Sequence, residues 1–130
     1  MANLVVIEDE PDILMLVETT LQFGGHHVRT ACRGQQGINL VRQELPDLVL
    51  LDLQMPDMSG YDILRILKSD ISLYHIPVLL FSANNRPEDI QRGQNEGADG
   101  FLYKPFDPKT LLQQIDQALQ TLAVGIDDGC

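Results

Sequence analysis

With 130 residues, 44% of them hydrophobic and 22% charged, the chain has the size of one domain around a single buried core and a composition outside the disordered class. Its 19 Asp+Glu against 9 Lys+Arg leave a formal net charge of −10. That balance disfavours non-specific nucleic-acid binding, which rests on cations meeting phosphates, and suits a metal cation or basic protein partners. No apolar run approaches the ~18 residues of a membrane helix, and no basic stretch precedes Glu8 as a secretory signal requires.

The run Leu4-Val5-Val6-Ile7 reads as a strand buried on both faces, and it ends in Glu8-Asp9-Glu10. Pro11 suits a first helical turn. Ile13, Leu16, Val17 and Leu21 then follow at helical spacing, and Gly24-Gly25 stops the helix. His26 and His27 read as a solvated turn. Val28 to Cys32 is a second strand, with Cys32 expected as a buried free thiol. Neither Cys32 nor Cys130 belongs to a CxxC pair or a zinc-like cluster, so a reducing cytoplasm is the expected setting.

Gly34 to Glu44 reads as a helix with Ile38 and Val41 inward, and Pro46 follows it. Leu48 to Leu51 is a buried strand ending at Asp52. A turn-rich loop with Pro56 and Gly60 comes next, expected to leave the Asp52 carboxylate open and to be anchored by Met55 and Met58. Ile63, Ile66 and Leu67 mark a third helix, and Val78 to Phe81 a strand ending at Ser82. A fourth helix from Pro87 to about Glu96 has one large apolar residue, Ile90, and is weakened by Gly93 and Gly97. Phe101-Leu102-Tyr103 is a strand ending at Lys104. Pro108 opens a last helix with Leu111, Leu112, Ile115, Leu119 and Leu122 inward, and residues 123–130 read as a short polar tail after a domain spanning 1–122.

Alternating strands and helices predict an α/β fold, a parallel sheet with helices on both faces. In such sheets ligands bind beyond the carboxyl ends of the strands. Those ends carry Glu8, Asp9, Asp52, Ser82 and Lys104. Two carboxylates ~4 Å apart repel by about 4 kcal/mol at an effective dielectric of ~20, so three of them call for a divalent cation with oxygen ligands, Mg²⁺ or alternatively Mn²⁺. A carboxylate beside such a cation can act as a nucleophile toward phosphorus. Asp52, on the strand that is central by pattern, is the candidate. Taken singly, each of these residues reads better as a helix cap, a strand-end turn residue or a solvated surface charge. Their joint placement carries the argument.

Four stretches resemble the receiver domain of two-component response regulators, over essentially Asn3 to Leu122. These are Val6-Ile7-Glu8-Asp9-Glu10-Pro11, the run from Leu48 to Tyr61 around Asp52, Ser82-Ala83, and Lys104-Pro105-Phe106. The resemblance implies a flavodoxin-like (βα)5 three-layer sandwich with strand order 2-1-3-4-5. It implies Asp52 as phosphoacceptor from a histidine kinase or phosphotransfer protein. It places Mg²⁺ on Glu8, Asp9, Asp52 and the Gln54 backbone carbonyl, with Lys104 on the phosphoryl group. Ser82 and Phe101 would be the switch residues, Gln54 and Asn84 would tune hydrolysis, and the bond before Pro105 is a cis candidate. Here Glu8 stands where Asp is common, Ser82 where Thr is common, and Phe101 where a Tyr would carry a hydroxyl.

The expected role is a cytoplasmic signalling phosphoacceptor rather than an enzyme. It would present a switched protein-binding surface around helix four, strand five and helix five to a downstream partner, as a monomer or weak dimer. The last helix lacks the arginines of a known dimer mode, and no direct contact with nucleic acid or membrane is expected. The alternatives are an aspartyl-phosphate phosphohydrolase, a flavin or nucleotide binder on the same fold, and a receiver that binds partners without being phosphorylated. Gln54, where such hydrolases carry a second acid, argues against the first, and the missing phosphate loop against the second.

Overall fold

The computed structural model describes residues 2–82, 86–103 and 107–128; the side chains of Tyr103 and of residues 121–128 fall outside the description. The elements run β1 (Asn3–Ile7), α1 (Pro11–Phe23), β2 (His27–Ala31), α2 (Gly34–Glu44), β3 (Leu48–Asp52), α3 (Gly60–Ser69), β4 (Val78–Ser82), α4 (Pro87–Asn95), β5 (Gly100–Tyr103) and α5 (Pro108–Asp128). The sheet is parallel in the order β2-β1-β3-β4-β5. This is the flavodoxin-like arrangement that the family resemblance implies.

The apolar runs explain the layers. Successive side chains on a strand point to opposite faces. Leu4 and Val6 therefore pack with Leu48, Leu50, Phe81 and Leu102 against Val17 and Leu21 of α1 and Leu111 and Ile115 of α5. Val5 and Ile7 pack with Val49 and Leu51 on the other face, against Ile38 and Val41 of α2 and Ile63, Leu64 and Leu67 of α3. Because both faces are covered, every residue of the central strand β3 is buried. The register sets Leu50 beside Leu79, and Ile7 beside both Ala31 and Leu51. The ends of β1, β3 and β4 therefore finish side by side.

Some expectations are corrected. Leu16 is 41% exposed, because α1 turns only its Val17, Thr20 and Leu21 side fully inward. Cys32 lies one residue past β2, an edge strand, and is exposed rather than buried. His26 is not solvated: its side chain is 8% exposed, its Nδ1 accepts the Ala2 N–H at 3.2 Å, and its Nε2 meets Asp116 of α5 at 2.9 Å. The α5 backbone stays helical past Leu122 to Asp128, and no proline stands there to stop it.

Leu50 lies on the central strand and is buried in the layer beneath α1 and α5. Leu50→Ala is expected to destabilise the fold by about 2–5 kcal/mol, read as a lower urea midpoint at unchanged m-value.

Candidate functional site

Glu8 and Asp9 follow β1 directly, and Asp52 is the last residue of β3. Since Ile7 pairs with Leu51, both strands deliver their acids to the same end of the sheet. Glu8, Asp9 and Asp52 each offer a carboxylate oxygen, and these atoms all lie within 4.8 Å of one another. Glu8 is fully buried and Asp52 is 4% exposed, which encloses Asp52 more than the turn-rich loop suggests. Asp9, half-buried, is the member that meets solvent. Two ionised carboxylates at that spacing oppose each other by about 3–4 kcal/mol at an effective dielectric of ~20, and the sheet holds three.

Backbone donors offset part of this. Glu8 Oε2 accepts the Glu10 N–H at 3.0 Å, and Asp52 Oδ1 accepts the Gln54 N–H at 3.3 Å. The Glu8 backbone is itself fixed, its N–H donating to the Ala31 carbonyl at 3.0 Å. Hard oxygen donors in this arrangement suit a divalent cation of the Mg²⁺ or Mn²⁺ kind.

Ser82 is buried at the end of β4, one step beyond Phe81, which faces Asp52 in the register. Gln54 is exposed directly after the site. Phe101 is half-buried on β5, with its ring end against Gly93 of α4. Lys104, Pro105 and Asn84 lie outside the described residues.

Sequence reasoning missed what holds the loop between β3 and α3. Its base is closed by a bridge between Gln54 and Ser59 and by the Gly60 N–H on the Leu53 carbonyl at 2.9 Å. Its tip is tied down by Asp57, whose Oδ1 accepts the Gly34 N–H at 2.8 Å and whose Oδ2 accepts the Gln35 N–H at 3.1 Å. Asp57 thus caps α2 from 23 residues away, where the N-cap residue Arg33 makes no side-chain cap bond. The Gly34 hydrogen bond is the main cause holding the Asp57 carboxyl below its ordinary 3.8. Met58 packs on Gly34, where an added Cβ would meet Met58 Cγ at 2.5 Å, so the expected loop anchor is found. The turn residues in this loop signalled its existence; no local pattern signals a cap supplied from so far along the chain.

The sequence profile of the response regulator receiver domain matches residues 4–116. The chain is 35% identical over 119 residues to Protein PilH of Pseudomonas aeruginosa, covering 92% of this chain and 98% of that protein. It is 31% identical over 131 residues to the DNA-binding response regulator MtrA of Mycolicibacterium smegmatis, covering 95% of this chain and 56% of MtrA. Among solved structures, chemotaxis protein CheY4 of Vibrio cholerae is similar with a TM-score of 0.87 and 30% identity, over 91% of this chain and 98% of that one. The chain spans about half the length of several curated relatives, 45% of one ycf27 regulator and 50% of RpaA.

Asp57 gives a pH-dependent prediction. A carboxyl whose folded pKa is depressed stabilises the fold above its unfolded value, and that contribution is lost as pH falls through the folded value. Asp57→Asn, which removes the negative charge from the α2 N-terminus, is expected to lower the urea unfolding free energy by about 0.3–1 kcal/mol at neutral pH. The gap to wild type should close as pH falls below 3.8 and through the depressed folded value.

Proposed function

The chain belongs to the response regulator receiver domain family of two-component systems, and from that premise we propose that Asp52 accepts a phosphoryl group with Mg²⁺ held by Glu8, Asp9, Asp52 and the Gln54 carbonyl. The observation that carries this reading is the convergence of three carboxylates within 4.8 Å at the end of a hydrophobic sheet, an arrangement that costs stability unless a cation compensates it. When bound, the cation supplies positive charge to phosphoryl oxygens and neutralises the cluster.

The chain's own residues do the rest. An Asp52 oxygen attacks phosphorus as the bond to the donor breaks; for a phosphohistidine donor on a histidine kinase or phosphotransfer protein, the P–N bond gives way to an acyl phosphate and the imidazole leaves. Glu8, fully buried and held by the Glu10 N–H, orients the acidic cluster. Ser82, Lys104 and Phe101 are the switch residues of this reading, with Gln54 and Asn84 setting how fast the acyl phosphate hydrolyses. The role is that of a signalling phosphoacceptor, acting beyond its own phosphorylation and dephosphorylation only through partners, in a cytoplasmic setting. Among the described residues no helix is long and apolar enough to cross a membrane.

The output surface proposed is α4, β5 and α5. Phe101 lines a shallow groove on that face with Leu102, Gln114, Gln117 and Ala118. A change in its packing against α4 therefore alters a surface that a protein partner can read.

Acetyl phosphate with Mg²⁺ is expected to add one phosphoryl mass to the protein, and chelation by EDTA to abolish the labelling. Asp52→Asn should carry no label, and labelling that persists in it would sink the assignment. Asp9→Asn should slow metal-dependent labelling by at least about tenfold, the scale on which even outer-shell partners of metal sites act.

A further inference from the structure

Helix α4 has almost no apolar face with which to hold itself. Ile90 is half-buried, and the one fully buried residue of the helix is Gly93, which has no side chain. The contacts that hold it are of other kinds. Asp89, Arg92 and Gly93 stand at spacings of three and four, on one helix face. The Tyr61 hydroxyl donates to the Asp89 carbonyl at 3.2 Å, and the Arg92 guanidinium stacks over the Tyr61 ring at 4.1 Å from its centre. At Gly93 a Cβ would fall 2.4 Å from Phe101 Cζ, so the missing side chain makes the notch that receives the Phe101 ring. Just past the helix, Arg65 of α3 forks onto both Glu96 oxygens at 3.2 Å. The glycine that weakens α4 by propensity is thus what lets it seat.

Tyr61 is equally constrained at its other end. It is 8% exposed, and burial, more than the nearby Asp89 charge, raises its phenol pKa above the ordinary value. Its N–H donates to Ser59 Oγ at 3.1 Å, capping α3. Its neighbour Gly60 presses on the site itself, since a Cβ there would lie 2.5 Å from Leu53 Cα and 2.6 Å from the Asp52 carbonyl oxygen. Little slack is left between the backbone that carries the Asp52 carboxylate and the ring that grips α4.

We propose that Tyr61 is a latch. It holds α4 in the position of the unmodified protein and transmits movement of the β3–α3 loop to that helix, by a route separate from Ser82 and Phe101. The second half of this proposal rests on the reading of Asp52 as phosphoacceptor. Phe101 has no hydroxyl with which to bond α4 or a partner, whereas Tyr61 has one and spends it on the α4 backbone.

The test is Tyr61→Phe, which keeps the ring under Arg92 and removes only the donor. In the absence of phosphodonor, backbone amides of residues 88–95 should exchange with deuterium about fivefold faster than in wild type, the scale of one net hydrogen bond. Amides of α1 and α5 should be unchanged. Because coupling between two sites is reciprocal, beryllofluoride with Mg²⁺, a phosphoryl mimic, should bind the variant several-fold more tightly. Arg92→Gln, which removes the stacked cation from the solvent side, should shift both readouts in the same direction. Exchange at α4 equal to wild type, or faster exchange spread evenly over all elements, would overturn the latch. Unchanged beryllofluoride affinity would overturn its coupling to the site. If wild-type protein neither takes label from acetyl phosphate nor binds beryllofluoride, the Asp52 reading fails and the coupling with it, while the exchange comparison still decides whether Tyr61 holds α4.

Discussion

The constraint on which this molecule depends is electrostatic: a sheet of buried aliphatic strands forces three carboxylates into one small space. Left in water, Glu8, Asp9 and Asp52 would separate. They cannot, because Ile7 and Leu51 are locked in register and both are fully buried. The apolar core therefore does work against charge repulsion, of the order of a few kcal/mol per close pair. A site of this kind is poised to gain stability when positive charge arrives and to respond when a further anionic group is added.

Around that point the structure divides into a closely packed side and a lightly packed one. On the face of α1 and α5, packing is close and apolar around Phe81, and His26 ties the turn after α1 to both Ala2 and α5. At the far end of the sheet, Lys68 binds the carbonyls of Tyr74 and Ile76 and pairs with Asp99, which also accepts the Val78 N–H. Helix α4 differs: among the described residues its contacts include a hydroxyl, a stacked cation, an ion pair just past its end, and Phe101 and Leu80 at a glycine notch. Such directional contacts have discrete alternatives, whereas close-packed aliphatic layers resist displacement. A stable sheet with one lightly held helix is what a switch requires.

The fold and the acidic site were legible in the sequence because both rest on local patterns. Continuous aliphatic runs such as Leu4 to Ile7 and Leu48 to Leu51 define buried parallel strands whatever surrounds them. Acids placed directly after those runs must emerge at the strand ends, which sets Asp9 and Asp52 at one edge of the sheet. Where local pattern was ambiguous the reading failed: Leu16 fits the helical spacing yet lies on the exposed flank of α1, and Cys32 has an apolar neighbourhood in sequence but follows an edge strand in space.

By itself, the sequence determined the order of elements, the parallel sheet and the chemistry of its carboxyl edge, because hydrophobic periodicity and strand-end residues act within a few positions of one another. Only the tertiary structure decided how that edge is braced and what it touches. The Asp57 carboxylate on Gly34 and Gln35, the Gly60 backbone pressed on Asp52, and the Tyr61 hydroxyl on Asp89 all join residues more than five positions apart along the chain. Such contacts are single polar atoms or single missing side chains. They leave no periodic trace, and they become visible only when the packed layers set their distances.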